Sequence, residues 1–370
     1  MMRVVRRLSF VVAIALAGCG GAAAPAASSA PASAPGNAAS AAAKASGAAS
    51  AKPAVQASAS AAGQKDTVRS AFLTFTSAAS MPWVAKGAGI YDKYGLDVSL
   101  TYIAPATLNQ TLLAGKDLDV GYGSAANLVT LDAQGGDLVI LAASIQGGLF
   151  TIVGSKGIKT IQDLRGKTAA MTTVGSTTDL VLRQVLQDNG LTPNKDANVI
   201  ATGPDPPTMV AALQSGQIAA GIFSEPFASI LQAQGGTVLY DQAASGVKAV
   251  QIPITVKRTY VAGHRDLLKR VLMANMEAIH LMKKNPAEAV KYTVPFIKIE
   301  DTAVLQHGLE AIMKITDDDL SVPMDDLAQS IKIAAGTIPE VAKLKPEDLV
   351  DLSLLQEIKA SGFLDKLKQS

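Results

Sequence analysis

Four short segments place serine, threonine and glycine directly before a helix-forming pattern. They read TSAASMPW at 76–83, GYGSAAN at 121–127, TVGSTTD at 173–179 and FSEPF at 223–227. Small residues leave the N–H groups of a helix start accessible, and hydroxyl groups add further donors, so such turns suit an oxyanion. The sequence therefore predicts a ligand site built from these four turns.

The candidate ligand-binding residues share a polar, small or aromatic side chain within these turns. They are Ser77, Ser80, Trp83, Ser124, Gly175, Ser176, Thr177, Ser224 and Glu225. Several of them are equally suited to a purely structural role. Ser80 and Ser176 are equally suited to cap helices, and Ser176 with Asp179 has the spacing of a capping box. Trp83, the single tryptophan, suits core packing as well as a cleft wall.

The residues absent from the four turns narrow the ligand class. None of the turns contains arginine or lysine, so a bidentate clamp on a carboxylate or phosphate is not expected. Asp179 and Glu225 lie close to two helix starts, where their negative charges would weaken the binding of a purely anionic ligand. Glu225 is suited either to bind an amine of the ligand or to meet a basic residue when the site closes. We therefore expect a small organic ligand with an acidic group, rather than bare nitrate.

The sequence predicts no catalytic residue, metal site or cofactor. The three histidines, His264, His280 and His307, stand in helical context without metal-ligand spacing, and structural roles are expected for them. The single cysteine, Cys19, precedes the folded region, which excludes disulfides and a thiol nucleophile there.

Two segments of the chain repeat at an offset of 100 residues. The motif AQGG occurs at 133–136 and 233–236, Gly121 matches Gly221, and Ser124 matches Ser224. Such a period is too long for a solenoid. The repeat therefore predicts two similar lobes, with the two matched serines in equivalent places.

Strand and helix patterns alternate through both halves, which favours α/β lobes with mostly parallel sheets. A helix is predicted from Ser80 to a stop at Gly95, and the chain is expected to cross between lobes at FTIVGSKG (150–157) and VQIPITV (250–256). After about Pro253 the patterns are helical and amphipathic. These helices are expected to pack on the first lobe.

The first residues have the pattern of an export signal. MMRVVRRLSFVVAIALAGC combines a basic start with an apolar run too short to span a bilayer. Its LAGC ending resembles the bacterial lipobox, which implies lipidation of Cys19; the alternative is an ordinary signal peptide. Residues 20–65 are mostly alanine, serine, proline and glycine, which predicts a disordered tether.

The charge of the chain is unevenly distributed. Six of the 33 basic residues precede Asp66, whereas all 31 acidic residues lie from Asp66 onward. The folded region is therefore mildly acidic although the whole chain has a formal charge of +2. This distribution argues against nucleic-acid binding.

The segments MPWVAKGAGIYDKYGLDVSLTYI, LLAGKDLDVGYGS and ALQSGQIAAGIFSEPFASILQAQGG resemble the substrate-binding proteins of ABC importers for sulfonates, nitrate and taurine. That group includes binders of thiamine pyrimidine precursors. The resemblance implies an α/β, two-lobed type II periplasmic-binding-protein fold with a C-terminal helical extension. The expected divisions are a signal peptide at 1–18, lipidated cysteine and linker at 19–66, first lobe at 67–152, second lobe at 153–250, and a return to the first lobe with C-terminal helices at 251–370.

The resemblance implies a lipid-anchored, exported receptor with a monomeric folded domain, whose partners are a small-molecule ligand and ABC permease subunits. Two alternatives remain open. One is an enzyme, since the same fold serves enzymes of pyrimidine-precursor biosynthesis, and the other is a ligand sensor that docks on a membrane receptor. The export signal and the absence of a paired acid and base in the four turns argue against an enzyme.

Overall fold

The computed structural model describes residues 64–336 and 338–369, except for the side chain of Ala106. The described residues belong to a unit that spans Ser60–Ser370. The predicted signal peptide, Cys19 and the linker up to residue 63 lie outside the described residues.

Ten strands build two sheets of five strands each within this part of the chain. They are β1 Asp66–Phe72, β2 Leu96–Tyr102, β3 Val120–Tyr122, β4 Leu138–Gln146, β5 Thr151–Gly154, β6 Thr168–Met171, β7 Asn198–Ala201, β8 Ala220–Phe223, β9 Thr237–Asp241 and β10 Val250–Lys257. The first sheet has the order β2-β1-β3-β10-β4 and the second has the order β7-β6-β8-β5-β9. We call the regions around them the first and the second lobe.

The two sheets share one topology. In the first sheet β10 runs antiparallel to both β3 and β4, and in the second sheet β5 runs antiparallel to both β8 and β9. The other strands of each sheet therefore point in one direction, as the prediction of mostly parallel sheets requires. The matched residues Gly121 and Gly221 lie on the central strands β3 and β8. The two-lobed fold is confirmed.

The two crossings between the lobes are themselves strands, which the sequence patterns did not predict. The first crossing continues into β5 and the second becomes β10, so each crossing adds the antiparallel strand to a sheet. All but the last residue of β10 are buried. A strand buried on both faces loses the alternation of polar and apolar residues by which strands are recognised.

The described residues also form fifteen α-helices. They are α1 Ser80–Gly87, α2 Ile90–Lys93, α3 Pro105–Ala114, α4 Ala125–Ala133, α5 Thr177–Asp188, α6 Pro206–Gln214, α7 Phe227–Ala233, α8 Arg258–Gly263, α9 Arg265–Lys284, α10 Pro286–Lys291, α11 Val294–Ile297, α12 Thr302–Met313, α13 Met324–Ala335, α14 Ser353–Ala360 and α15 Phe363–Lys368. Single 3₁₀ turns lie at Ser77–Ala79, Ile161–Leu164, Pro339–Lys343 and Pro346–Leu349.

The helix predicted from Ser80 to Gly95 is divided into α1 and α2. Gly89, with φ of 70°, separates them in a left-handed conformation that ends the first helix early. No described helix combines the length and the apolar character needed to cross a bilayer.

The C-terminal helices pack mostly on the first lobe. α9 contacts α1, α2 and α14, and the segment before α14 forms a bridge from Val350 to Ile140 of β4. α13 contacts α4 of the first lobe and also α5 of the second lobe. The helical extension therefore touches both lobes.

Candidate ligand-binding site

A cavity lies between the two lobes, at the turns that follow β1, β3, β6 and β8. Its polar lining residues are Thr74, Thr76, Ser124, Thr172, Ser176, Thr177, Thr178, Ser224 and Gln251. Its remaining lining residues are Leu73, Pro105, Gly123, Leu149, Phe150, Pro204, Pro206, Met209, Ile222, Phe223, Phe227 and Ile252. Both crossings contribute to the wall. The location is the one expected for α/β sheets, where ligands bind beyond the carboxyl ends of strands.

The cavity wall is electrically neutral. None of its lining residues is an aspartate, glutamate, lysine, arginine or histidine. The donors that this wall offers to an anion are therefore backbone N–H groups, chiefly those at the starts of α4 and α5, together with neutral hydroxyl and amide groups. Leucine, phenylalanine, methionine, isoleucine and proline side chains form much of the remaining surface. The arrangement suits a ligand with one acidic group on an apolar body.

Ser124 belongs to the first lobe and makes the most direct contact between the lobes. It is the N-cap of α4, where its hydroxyl accepts a hydrogen bond from the N–H of Asn127 at 3.3 Å. The same hydroxyl is hydrogen-bonded to the hydroxyl of Thr177 in the second lobe at 2.7 Å. Two of the predicted residues, on opposite walls, are thus brought together.

Two further hydrogen bonds join the lobes beside this pair. The side-chain amide of Asn127 donates to the carbonyl of Gly175 at 3.2 Å. The N–H of Ser77 donates to the carbonyl of Glu225 at 2.9 Å. The structure therefore shows the lobes in contact around the cavity.

The start of α5 is an internally bonded hydroxyl cluster. The Ser176 hydroxyl accepts from the N–H of Asp179 at 3.4 Å and is bonded to the Thr178 hydroxyl at 2.8 Å. The Thr178 hydroxyl is bonded in turn to the Thr172 hydroxyl at 2.7 Å. Ser176 therefore caps the helix, as its structural alternative proposed, and it also lines the cavity.

Asp179 holds the turn before α5 in place. One carboxylate oxygen accepts from the N–H of Gly175 at 2.9 Å, and the other forms an ion pair with Arg183 at 2.6 Å. Gly175 itself adopts φ of 74°, which favours glycine. Because Arg183 balances the charge of Asp179, this carboxylate does not oppose an anion as strongly as the sequence reasoning expected.

Ser224 is the free hydroxyl of the second wall. Its backbone carbonyl accepts from Phe227 and Ala228, but within the described part of the chain its side chain makes no hydrogen bond. Thr76 also faces the cavity, and its hydroxyl accepts from that of Thr74 at 3.3 Å. Ser224 is therefore the predicted residue whose side chain is most available to a ligand.

Five predicted residues lie outside the cavity wall, among them Gly175, whose backbone contacts are given above. Ser77 and Ser80 are buried in the first lobe, and their hydroxyls have no partner among the described residues. Trp83 is fully buried and stacks on Phe296 with ring centroids 4.5 Å apart. Glu225 accepts from Ser229 at 3.0 Å through one carboxylate oxygen. Their roles in ligand binding stay predictions for which the geometry gives no direct contact.

Gln251 is a cavity residue that the sequence reasoning missed. It lies on β10 and is buried, with 4% of the residue exposed. The signal that was available is a glutamine inside the otherwise apolar run VQIPITV. The sequence pattern does not single out this glutamine, because the run resembles a connection between lobes.

Tyr102 ends β2 and is half-buried in the first lobe. Burial raises the pKa of its hydroxyl, and the negative charge of Asp205 in the second lobe raises it further. Its ring stacks on Phe75 with centroids 4.8 Å apart. Phe75, which this ring contacts, lies in the chain between Thr74 and Thr76 of the cavity wall.

Two α/β lobes of the same strand order, joined by two crossings around a cavity, define a two-lobed binding-protein architecture. The chain belongs to the NMT1-like family, whose model matches residues 61–294. The matched residues include both lobes and the whole cavity wall. A relative from Brucella abortus (strain 2308), named only as a candidate binding protein, is 28% identical over 65% of this chain and 74% of its own length.

Solved structures confirm the fold resemblance. The periplasmic aliphatic sulphonate binding protein SsuA from Escherichia coli matches with a TM-score of 0.62 at 20% identity, over 79% of this chain and 92% of its own. The periplasmic nitrate-binding protein NrtA from Synechocystis PCC 6803 matches with a TM-score of 0.61 at 19% identity, over 80% and 89%. At these identities the likeness establishes the fold of this chain.

Proposed function

We propose that this protein is the exported solute-binding component of an ABC importer and that it holds a small organic anion between its lobes. The proposal is supported by the names of the sulphonate-binding and nitrate-binding proteins that share the fold. It rests on one observation of this chain, the neutral cavity between two contacting lobes with helix starts and hydroxyl groups in its wall.

The ligand class follows from the composition of that wall. The starts of α4 and α5 supply N–H donors for an acidic group, and the apolar lining supplies a surface for a carbon skeleton. Nitrate has no skeleton to cover that surface. An organic sulfonate or carboxylate therefore fits this cavity better than a bare inorganic anion.

Binding is favoured over catalysis by the partners of the cavity hydroxyls. A serine nucleophile needs an adjacent base such as histidine. The hydroxyls of Ser124 and Ser176 are bonded to threonine hydroxyls and to backbone N–H groups, and no described lining residue is an acid or an imidazole. The residues that line the cavity are thus equipped to hold a ligand rather than to transform it.

A thermal-shift screen tests the proposal with ethanesulfonate, benzenesulfonate, benzoate, taurine, nitrate and a pyrimidine. A ligand at 100 times its Kd stabilises the folded form by about 2.7 kcal/mol. We expect this shift with an organic sulfonate or carboxylate and a smaller one with nitrate. A response to the pyrimidine or to nitrate alone would contradict the proposed ligand class. Co-purification with permease subunits, rather than with a receptor, separates transport from sensing.

Lipid anchoring through Cys19 is the second part of the proposal. It is supported by the LAGC pattern that ends the predicted signal. The Cys19→Ser variant is expected to leave the membrane fraction or to accumulate as a precursor. A variant that is processed and bound to the membrane like the wild type would disprove the anchor, without bearing on ligand binding.

A further inference from the structure

Two buried glutamines lie at the two crossings between the lobes, and their side chains have different surroundings. Gln242 follows β9 and has 1% of the residue exposed. Its side-chain carbonyl accepts from the N–H groups of Leu149 and Phe150 at 3.1 and 3.3 Å. Gln242 therefore fixes the first crossing.

Gln251, at the second crossing, is buried to a similar extent but its side chain makes no hydrogen bond within the described residues. Its amide nitrogen and oxygen are not among the described side-chain atoms that are buried without a partner, so they are accessible from the cavity and can pair with water or a ligand there. The side chain lies in the wall of the cavity, so a ligand that displaces water from this amide must replace the lost hydrogen bond.

The backbone around Gln251 is fixed on both sides. The N–H of Val250 donates to the hydroxyl of Ser330 at 3.0 Å, and the hydroxyl of Ser144 donates to the carbonyl of Ile252 at 3.0 Å. Both serines are buried. The position of the glutamine in the wall is therefore set by bonds that do not involve its own side chain.

The next residue, Ile252, has a backbone conformation that its side chain disfavours. Its φ is 48°, a left-handed conformation that a β-branched residue rarely adopts. The strain coincides with a gap in the pairing of β10 with β4, between Gln251 opposite Ile145 and Pro253 opposite Ala143. Such outliers persist where the surroundings impose them, and they concentrate at ligand sites.

We propose that Gln251 is a specificity-determining residue, whose amide hydrogen-bonds a neutral polar substituent on the apolar body of the ligand. This inference rests on the proposed function. It narrows the ligand class to organic anions with a second, uncharged hydrogen-bonding group, such as a hydroxyl or carboxamide. The amide can donate through Nε2 or accept through Oε1, so it accommodates either kind of group.

Calorimetry with paired probes tests the proposal on the wild type and on Gln251→Leu. The pairs are benzoate with 3- or 4-hydroxybenzoate, and benzenesulfonate with 4-hydroxybenzenesulfonate. The wild type is expected to prefer the better hydroxylated member by about tenfold, which corresponds to one hydrogen bond in a buried site. In Gln251→Leu this preference is expected to vanish, while the unsubstituted probe binds at least as well as before.

Gln242→Leu is the matched control. It removes two hydrogen bonds to the first crossing, so its Tm should fall, while the preference between probes stays. Gln251→Leu should keep the wild-type Tm because it breaks no bond within the protein. An unchanged preference in Gln251→Leu, or no preference in the wild type, would overturn the role of Gln251 alone. Failure of every probe to bind the wild type would overturn the proposed function as well.

Discussion

Ser124 and Ser224 occupy equivalent places in the two lobes, yet their side chains do different things. Both follow a central strand and precede a helix. The hydroxyl of Ser124 caps α4 and bonds Thr177 across the cavity, whereas the hydroxyl of Ser224 bonds no described group and faces the cavity. The repeated turn therefore places a hydroxyl group at an equivalent position in each lobe. The residues opposite that hydroxyl determine whether it hydrogen-bonds the other lobe or stays unpaired and accessible to a ligand.

The largest expected effect comes from filling the cavity at either serine. Ser124→Phe and Ser224→Phe place a large side chain in the space between the lobes, so we expect ligand affinity to fall by more than about a hundredfold. Ser99→Phe, at an exposed position on β2, is the control and should bind normally. Calorimetry with the ligand found by thermal shift measures the effect. Normal binding by both cavity variants would place the site elsewhere.

A smaller, more selective effect comes from removing only the hydroxyl. Ser124→Ala loses the helix cap, so its free energy of unfolding should fall by about 1 kcal/mol. Ser224→Ala loses no bond within the protein and should keep its stability, while ligand affinity falls by about tenfold. Urea unfolding and calorimetry measure the two quantities separately. Equal destabilisation by both substitutions, with unchanged affinity of Ser224→Ala, would mean that the two serines do not differ as described.

The smallest expected effect concerns another pair of equivalent positions, Asp132 and Gln232. Burial raises the pKa of Asp132 to about 6, although its carboxylate accepts from the N–H of Leu138. A raised pKa means that the folded protein holds the proton more tightly than the unfolded chain. The stability contributed by this group is therefore present near pH 4 and is lost as pH rises through 6.

Asp132→Asn should remove this pH-dependent loss of stability and raise the free energy of unfolding at pH 8 by about 1 kcal/mol. The effect is smaller than the full pKa shift implies, because the carboxyl group is partly solvated. Gln232→Glu, at the exposed equivalent position, should leave the pH dependence unchanged. Urea unfolding at pH 5 and pH 8 makes the comparison. An identical pH dependence in Asp132→Asn and the wild type would contradict the assignment.

The sequence patterns predicted the fold well where local signals were strong. The alternating strand and helix patterns predicted mostly parallel sheets, and the repeat indicated two lobes. The patterns failed at β10, where burial on both faces removes the alternation that marks a strand. The helix predicted up to Gly95 ends at Gly87, ahead of the left-handed Gly89, because a glycine within a helical pattern does not reveal its backbone conformation.

The sequence predicted only part of the candidate site, because local patterns mark helix starts but do not show how a helix packs. Ser124, Ser176, Thr177 and Ser224 lie in the cavity wall because each stands at a helix start. Ser80 and Trp83 belong to the same kind of segment but sit within α1, on a face that packs into the core. Which face of a helix is buried depends on tertiary packing, and so does the exposure of the Gln251 side chain to the cavity.

The central claim, that a ligand is held between the two lobes, is tested most directly by the distance between them. Cysteines introduced at exposed positions of each lobe, Gln110→Cys and Val174→Cys in a Cys19→Ser background, can carry spin labels because no other cysteine is present. Ligand binding is expected to shorten and narrow the distance distribution, since a ligand that contacts both walls favours the closed form. A distribution that stays the same with ligand bound would contradict the claim.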